Sequence, residues 1–300
     1  MNLYNIKCYI SIKDWGDVEG TIILNKYGAQ SVVFHWSDLT FYKVYTHAFI
    51  AHNVCYAWGD IHHVRYLDTY FVNKKINIGC IYKKAFNEKI DDENDIISRI
   101  PGLKKGSKIV TFCDTSFNDN LEYNECYFLE YIGMIKKYCE ENKDINVLLK
   151  PKTAESYESR LSRANRDRFK GLWDELIRCD NFIYLDVSRW DIEEIIAISD
   201  VCVSMGMNSP STIALICGKE GLYFDNTGNI YHPFAMKYRG KIVFDDKDFL
   251  FKQIDEILNG KFKCRDIISE KEIRAYDAFS DDGALERLKE NLYELTTEFK

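Results

Sequence analysis

Between residues 105 and 262 the chain alternates short, nearly all-apolar runs with amphipathic helical patterns, and that alternation admits few folds. Six runs read as strands: residues 107–112 (SKIVTF), 145–151 (INVLLKP), 182–186 (FIYLD), 201–205 (VCVSM), 221–225 (GLYFD) and 241–246 (KIVFDD). Apolar residues recur at helical spacing over 124–142, 157–178 (one helix or a pair), 191–199, 209–218 and 247–260. A strand apolar at nearly every position is covered on both faces. Strands of that kind separated by helices form a parallel, doubly wound α/β sheet.

The first hundred residues carry a weaker form of the same pattern. Residues 31–38, 53–60 and 76–82 read as strands that run into polar loops, and 18–29 as a helix closed by Gly28. Residues 87–106 are polar and charged and contain Pro101, Gly102 and Gly106, so they read as a linker. The expected organisation is a short or incomplete N-terminal Rossmann-like domain over 1–98, a complete one over 99–270, and a closing helix within 271–300.

Composition excludes several classes. The net charge of -7 opposes a general nucleic-acid binder, which needs a basic surface to displace phosphate counterions. The ten cysteines are scattered without a CxxC pair, as expected of free thiols in a reducing, cytoplasmic setting without disulfides or a zinc site. The N-terminus lacks the basic start and apolar core of a secretory signal, and no run reaches the 18 or so apolar residues of a membrane span. Work at a membrane surface stays compatible with this.

Ligands of doubly wound sheets lie at the carboxyl ends of the strands, so the residues after each strand are the candidates. After 201–205 come Gly206, then Asn208, Ser209, Ser211 and Thr212 at the start of a helix, with Pro210 in its first turn. Free backbone N–H groups there suit an anion, although the same residues are ordinary helix caps. After 221–225 come Asn226, Thr227 and Asn229 beside Asp225, groups able to bind hydroxyls or simply to form a turn. Lys150 ends its strand on the same edge, and Asp114, Thr115 and Ser116 follow the first strand. No GxGxxG follows a strand, no Walker A or DxD sequence occurs, and His62-His63 lack convincing partner ligands, so no metal is expected.

The segment ISDVCVSMGMNSPSTIALICGKEGLYFD resembles the signature of GT-B glycosyltransferases that build bacterial surface carbohydrates, capsule and lipopolysaccharide. Matching positions are Ser199-Asp200, Ser209 to Thr212, Gly218-Lys219 and Asp225. LLKPK (148–152) is similar to the KPHP-like strand end of such enzymes, Kdo-transferase-like ones included, with Lys152-Thr153 where His-Pro would stand. DAFSDDGALERLKENL resembles a closing segment of the family through Asp277, Phe279, Asp282, Gly283, Ala284 and Arg287. NKYGAQSVVFHWSD and VCYAWGD resemble parts of its N-terminal domain.

The resemblance implies a metal-independent transferase without a cofactor. Its nucleotide-sugar donor is the substrate, held by Asp114, Lys150, Asn208, Ser209, Ser211, Thr212, Asp225 and Asn226. Its partner is a glycan or glycolipid acceptor on the N-terminal side, and peripheral attachment to the inner face of the membrane is compatible with that. An inverting enzyme also needs a general base, for which Asp60, Asp38 and His35 stand at N-domain strand ends. Two other readings compete: a nucleotide-sugar 2-epimerase or polyol-phosphate transferase of the same fold, and a non-catalytic nucleotide-sugar-binding partner subunit.

Overall fold

The computed structural model describes residues 7–11, 18–34, 37, 50–64, 70–117, 123–228 and 232–297. In chain order the first elements are β1 (Cys8–Ser11), α1 (Val18–Lys26), β2 (Gln30–Phe34), β3 (Ile50–Ala57), α2 (Ile61–Val64) and β4 (Tyr70–Asn77). Helices α3 (Lys83–Ile90) and α4 (Glu93–Arg99) follow, then β5 (Ile109–Cys113), α5 (Glu125–Glu141), β6 (Asn146–Lys150), α6 (Tyr157–Arg160) and α7 (Arg163–Leu176). Next come β7 (Phe182–Tyr184), α8 (Ile192–Ile198), β8 (Val201–Met205), α9 (Ser209–Ile216), β9 (Glu220–Phe224), α10 (Pro233–Tyr238) and β10 (Val243–Phe244). Helices α11 (Lys247–Leu258), α12 (Glu270–Tyr276) and α13 (Ala284–Thr297) end the series.

The chain divides into two compact units. The first comprises residues 1–84 and 268–300, the second residues 85–267. The closing helix is therefore part of the first unit rather than an appendage, and the division falls ahead of the expected boundary near 98.

In the first unit β1-β2-β3-β4 form a parallel sheet in that order. Its core joins Val32, Val54, Tyr56 and Ile78 to Leu295 of α13, with Leu288 and Leu292 packed alongside. Spacing of four and three residues along α13 puts these leucines on one stripe, and burying that stripe holds the chain's end on the sheet. The strand expected at 76–82 lies earlier, over Tyr70–Asn77. It stops because Gly79 takes a positive φ of 90°, which turns the chain before the apolar run is complete.

The second unit has the order β10-β9-β8-β5-β6-β7, with every pairing parallel. From β5 the chain winds outward through β6 and β7, then crosses back to place β8 on the other side of β5. That reversal makes the β5/β8 junction the topological switch point, where such sheets bind ligands. Strands β5, β6 and β8 are buried along their whole length, which is why they stand out in the sequence as unbroken apolar runs. Rings fill the face under α5, where Tyr131 and Tyr138 pack edge-on against Phe112.

The segment read as a linker is a structural part of this unit. Ile96 and Ile100, one helical turn apart, enter the same cluster as Ile109, Leu148, Trp190 and Ile195. Arg99 covers the Trp190 ring at 5.0 Å and donates to Glu194 at 3.0 Å. The charged composition of 87–106 hides a short apolar stripe of Ile96 and Ile100, with Ile97 and Leu103 packed beside them.

Candidate functional site

Strand register sets one edge of the second sheet. Cys113 pairs with Lys150 and with Ser204, and Met205 pairs with Phe224. Asp114, Lys150, Gly206 and Asp225 therefore emerge at one level, as the apolar runs imply.

Asp114 joins three strand ends. Its carbonyl accepts from Asn208 Nδ2 at 2.9 Å, its Oδ1 accepts from the Lys152 backbone N–H, and its Oδ2 lies 3.8 Å from Arg160 Nη1. Burial pushes this carboxyl up to about 6, opposed by the Tyr157 hydroxyl, the Arg160 charge and the Lys152 N–H. Lys150 is 8% exposed and forms no ion pair among the described residues. Among those residues its ammonium makes a single long hydrogen bond, 3.5 Å to the Pro151 carbonyl. Burial lowers its pKa, against the pull of Cys113, Asp114, Asp191 and Glu193.

Asp225 is fully buried. Its Oδ1 accepts from the Thr227 N–H at 2.9 Å and hydroxyl at 2.6 Å, while Oδ2 has no hydrogen-bond partner among the described residues. A buried carboxylate oxygen left without a donor is costly, a condition that Oδ2 of Asp114 on the same edge shares. Asn226 beside it is exposed and donates to Glu130 at 2.7 Å.

The turn after β8 is tight because Gly206 has φ +66° and any Cβ there would lie 2.2 Å from the Tyr123 ring. The Tyr123 hydroxyl in turn accepts from the Met207 N–H at 2.8 Å. Asn208 caps α9, with its side chain accepting from the Ser209 N–H at 2.9 Å.

The sequence reading turns the next hydroxyls toward an anion; in the structure they point inward. Ser211 Oγ donates to the Leu222 carbonyl at 2.6 Å and contacts Ser204 Oγ at 2.8 Å, and Thr212 Oγ1 meets the Tyr223 hydroxyl at 2.7 Å. Both residues are wholly buried. The first donors of α9 are also occupied: Ser211 N–H goes to Ser204 Oγ at 3.0 Å, and Pro210 has none. So the loop and its flanking side chains, rather than the hydroxyls of α9, face the edge. His232 is buried too and caps α10 by accepting from the Phe234 N–H at 3.1 Å.

Sequence reasoning missed Arg160. It stands on α6, a four-residue helix after β6, with its guanidinium 4.0 Å over the Phe117 ring and a 3.2 Å bond to the Thr115 carbonyl. The available signal was its place in the first helical turn after β6, ten residues beyond Lys150, diluted by the many cations of residues 150–178.

In the first unit, Asp60 follows β3, is exposed, and accepts from Asn77 Nδ2 at 2.6 Å. Asp38 and His35 lie outside the described residues. His62 sits edge-on between Trp58 at 5.5 Å and Tyr276 at 5.9 Å, and burial lowers the pKa of His63. Among the described residues no group of three or more His, Cys, Asp or Glu could hold a metal. None of the described helices is long and apolar enough to cross a membrane. All ten cysteines are free.

Two parallel sheets, the second with its switch-point edge lined by Asp114, Lys150, Asn208 and Asp225, make a GT-B-like α/β fold. The chain belongs to the polysaccharide biosynthesis PFTS motif family, which matches residues 36–250. Its fold is similar to that of a variant of the wall teichoic acid polymerase TagF, with a TM-score of 0.58 at 13% identity over 98% of this chain and 74% of that one. It is equally similar to UDP-GlcNAc 2-epimerase from Neisseria meningitidis bound to UDP-GlcNAc, with a TM-score of 0.58 at 11% identity over 96% and 76%. The S. aureus MnaA-UDP co-structure gives 0.57 at 11% identity over 94% and 74%. Comparison with curated proteins finds no match.

Proposed function

We propose that this protein is a glycosyltransferase moving a sugar from a nucleotide-sugar donor to a surface-polysaccharide or lipopolysaccharide acceptor. The observation that carries the reading is the switch-point edge of the second unit, where the buried cation Lys150 and the half-satisfied Asp225 flank the Asp114–Asn208 junction. Membership of a polysaccharide biosynthesis family supports the same direction. In this reading Lys150 meets the donor's phosphates, and Asp225 and Asn226 accept and donate to sugar or ribose hydroxyls. Asn208 and Ser209 shape the loop between them. The acceptor belongs to the first unit, with Asp60 as the described candidate for its base, and no metal takes part. The Kdo-like character of residues 148–152 is part of this proposal.

The test is a thermal-shift screen with UDP-, GDP-, CMP- and CDP-sugars, followed by turnover with polysaccharide acceptors. Stabilisation by one nucleotide class and acceptor-dependent release of nucleotide are expected; no stabilisation by any of them defeats the reading. A second reading follows from the likeness to the 2-epimerase and to TagF. Nucleotide release with an epimerised sugar and no acceptor favours epimerisation, and release of the nucleoside monophosphate from a nucleoside-diphosphate donor, with phosphate gained by the acceptor, favours polyol-phosphate transfer.

A further inference from the structure

Arg160 is costly where it stands. Its side chain is 9% exposed, so its charge is largely removed from water. A guanidinium has five N–H donors. Those of Arg160 make a 3.2 Å bond to the Thr115 carbonyl and a 3.5 Å contact with Thr153 Oγ1. Among the described residues the nearest carboxylate oxygen, on Asp114, is 3.8 Å away, beyond hydrogen-bond reach. The group is nevertheless well placed. Its flat face lies 4.0 Å over Phe117, which fixes the plane of the fork, and Thr115 fixes one of its ends. A buried, oriented fork with donors to spare, at the edge where β5 and β6 end, has the geometry that binds a tetrahedral oxyanion in two-pronged fashion.

We propose that Arg160 holds a phosphoryl oxygen of the nucleotide-activated donor, with Phe117 as the shelf that keeps its fork in plane. This rests on the donor-site reading above and adds to it a residue that the strand-end pattern does not mark. Lys150, on the neighbouring strand end, supplies a point charge, whereas Arg160 supplies directed donors. A ligand without phosphate should be indifferent to Arg160.

The experiment compares UDP, inorganic pyrophosphate and uridine binding by calorimetry to the whole chain and to Arg160→Ala and Arg160→Lys, with melting curves for each. Loss of charge-assisted hydrogen bonds should weaken UDP and pyrophosphate roughly 10-fold or more in Arg160→Ala and leave uridine within about 2-fold. Arg160→Lys, which keeps the charge and the stem over Phe117, should fall between; it decides the question if the alanine variant does not fold. Unchanged UDP affinity in a folded variant overturns the proposal, as does equal weakening of UDP and uridine, which marks a purely structural role. A native protein that binds neither UDP nor pyrophosphate overturns the proposal as well, whereas the donor-site reading itself falls only if none of the UDP-, GDP-, CMP- and CDP-sugars stabilises the protein.

Discussion

The carboxyl edges of the two sheets differ in what the chain puts there. In the first unit the chain closes the edge with its own returning segment. Ala278 N–H donates to the Trp58 carbonyl at 3.0 Å, and a Cβ on Gly59 would lie 2.4 Å from the Ala275 carbonyl oxygen. Asp277, wholly buried, accepts from the Cys80 N–H at 3.0 Å with Lys83 3.6 Å away. Arg287 donates to the Ile78 carbonyl at 2.8 Å, pairs with Asp281, and lies 3.9 Å over Phe279. Among the described residues of the second unit, the corresponding edge keeps Lys150 without an ion pair, Asp225 with an idle oxygen and Arg160 with spare donors. Both edges hold a buried carboxylate oxygen without a hydrogen bond, Oδ2 of Asp277 and Oδ2 of Asp225; the first has Lys83 at 3.6 Å, while the second has no ion pair among the described residues. The difference between the edges is thus whether the chain itself supplies the opposite charge.

The contrast is easiest to break at Asp277. Replacement by alanine strands a buried N–H and a half-buried lysine, and should cost about 3–5 kcal/mol in a denaturant titration. A loss below about 1 kcal/mol would mean that the first edge is not held by its clasp.

On the second edge, acidity is the probe. The folded pKa of Asp114 is raised from 3.8 to about 6, so between these values the native state keeps a proton that the unfolded chain has lost. Stability should therefore fall as pH rises from about 4 to about 6, by up to about 3 kcal/mol from this group, and stay level above that window. Asp114→Asn should flatten that slope in urea melts; a slope of the same size in the variant would assign it to other groups.

A smaller effect separates packing from binding within one loop. Ser211→Ala removes the donor to the Leu222 carbonyl and should cost about 1–2 kcal/mol, with nucleotide affinity unchanged. An affinity loss without a stability loss would return that hydroxyl to the ligand.

The smallest change in stability belongs to the exposed acid of the first edge. Asp60→Asn should leave the melting temperature within the range expected of about 0.5 kcal/mol, while lowering acceptor-dependent turnover roughly 100-fold if Asp60 is the base. Retained turnover moves the base to another residue.

How much of this was legible follows from burial. Strands β5, β6, β8 and β9 read clearly because two covered faces demand apolar residues at every position, and the edge residues then follow from register. β1, an edge strand, did not read, and β4 was expected late, at 76–82, because Lys74 and Lys75 break its apolar run. The 87–106 segment misread as a linker because the few apolar residues that hold it against the core, Ile96, Ile97, Ile100 and Leu103, are scattered among many charges.

The sequence by itself determined the doubly wound α/β class, the strand ends from which Asp114, Lys150 and Asp225 emerge, and the caps of its helices. These depend on local periodicity and on the chemistry of single residues. Only the tertiary structure decided which way side chains face and what they meet: Ser211 and Thr212 turned into the core, Arg160 laid over Phe117, Asp277 reaching back to Cys80. Those outcomes depend on pairs of residues from 11 to 197 positions apart, and hydrogen-bond satisfaction in a buried setting is settled between such partners, not along the chain.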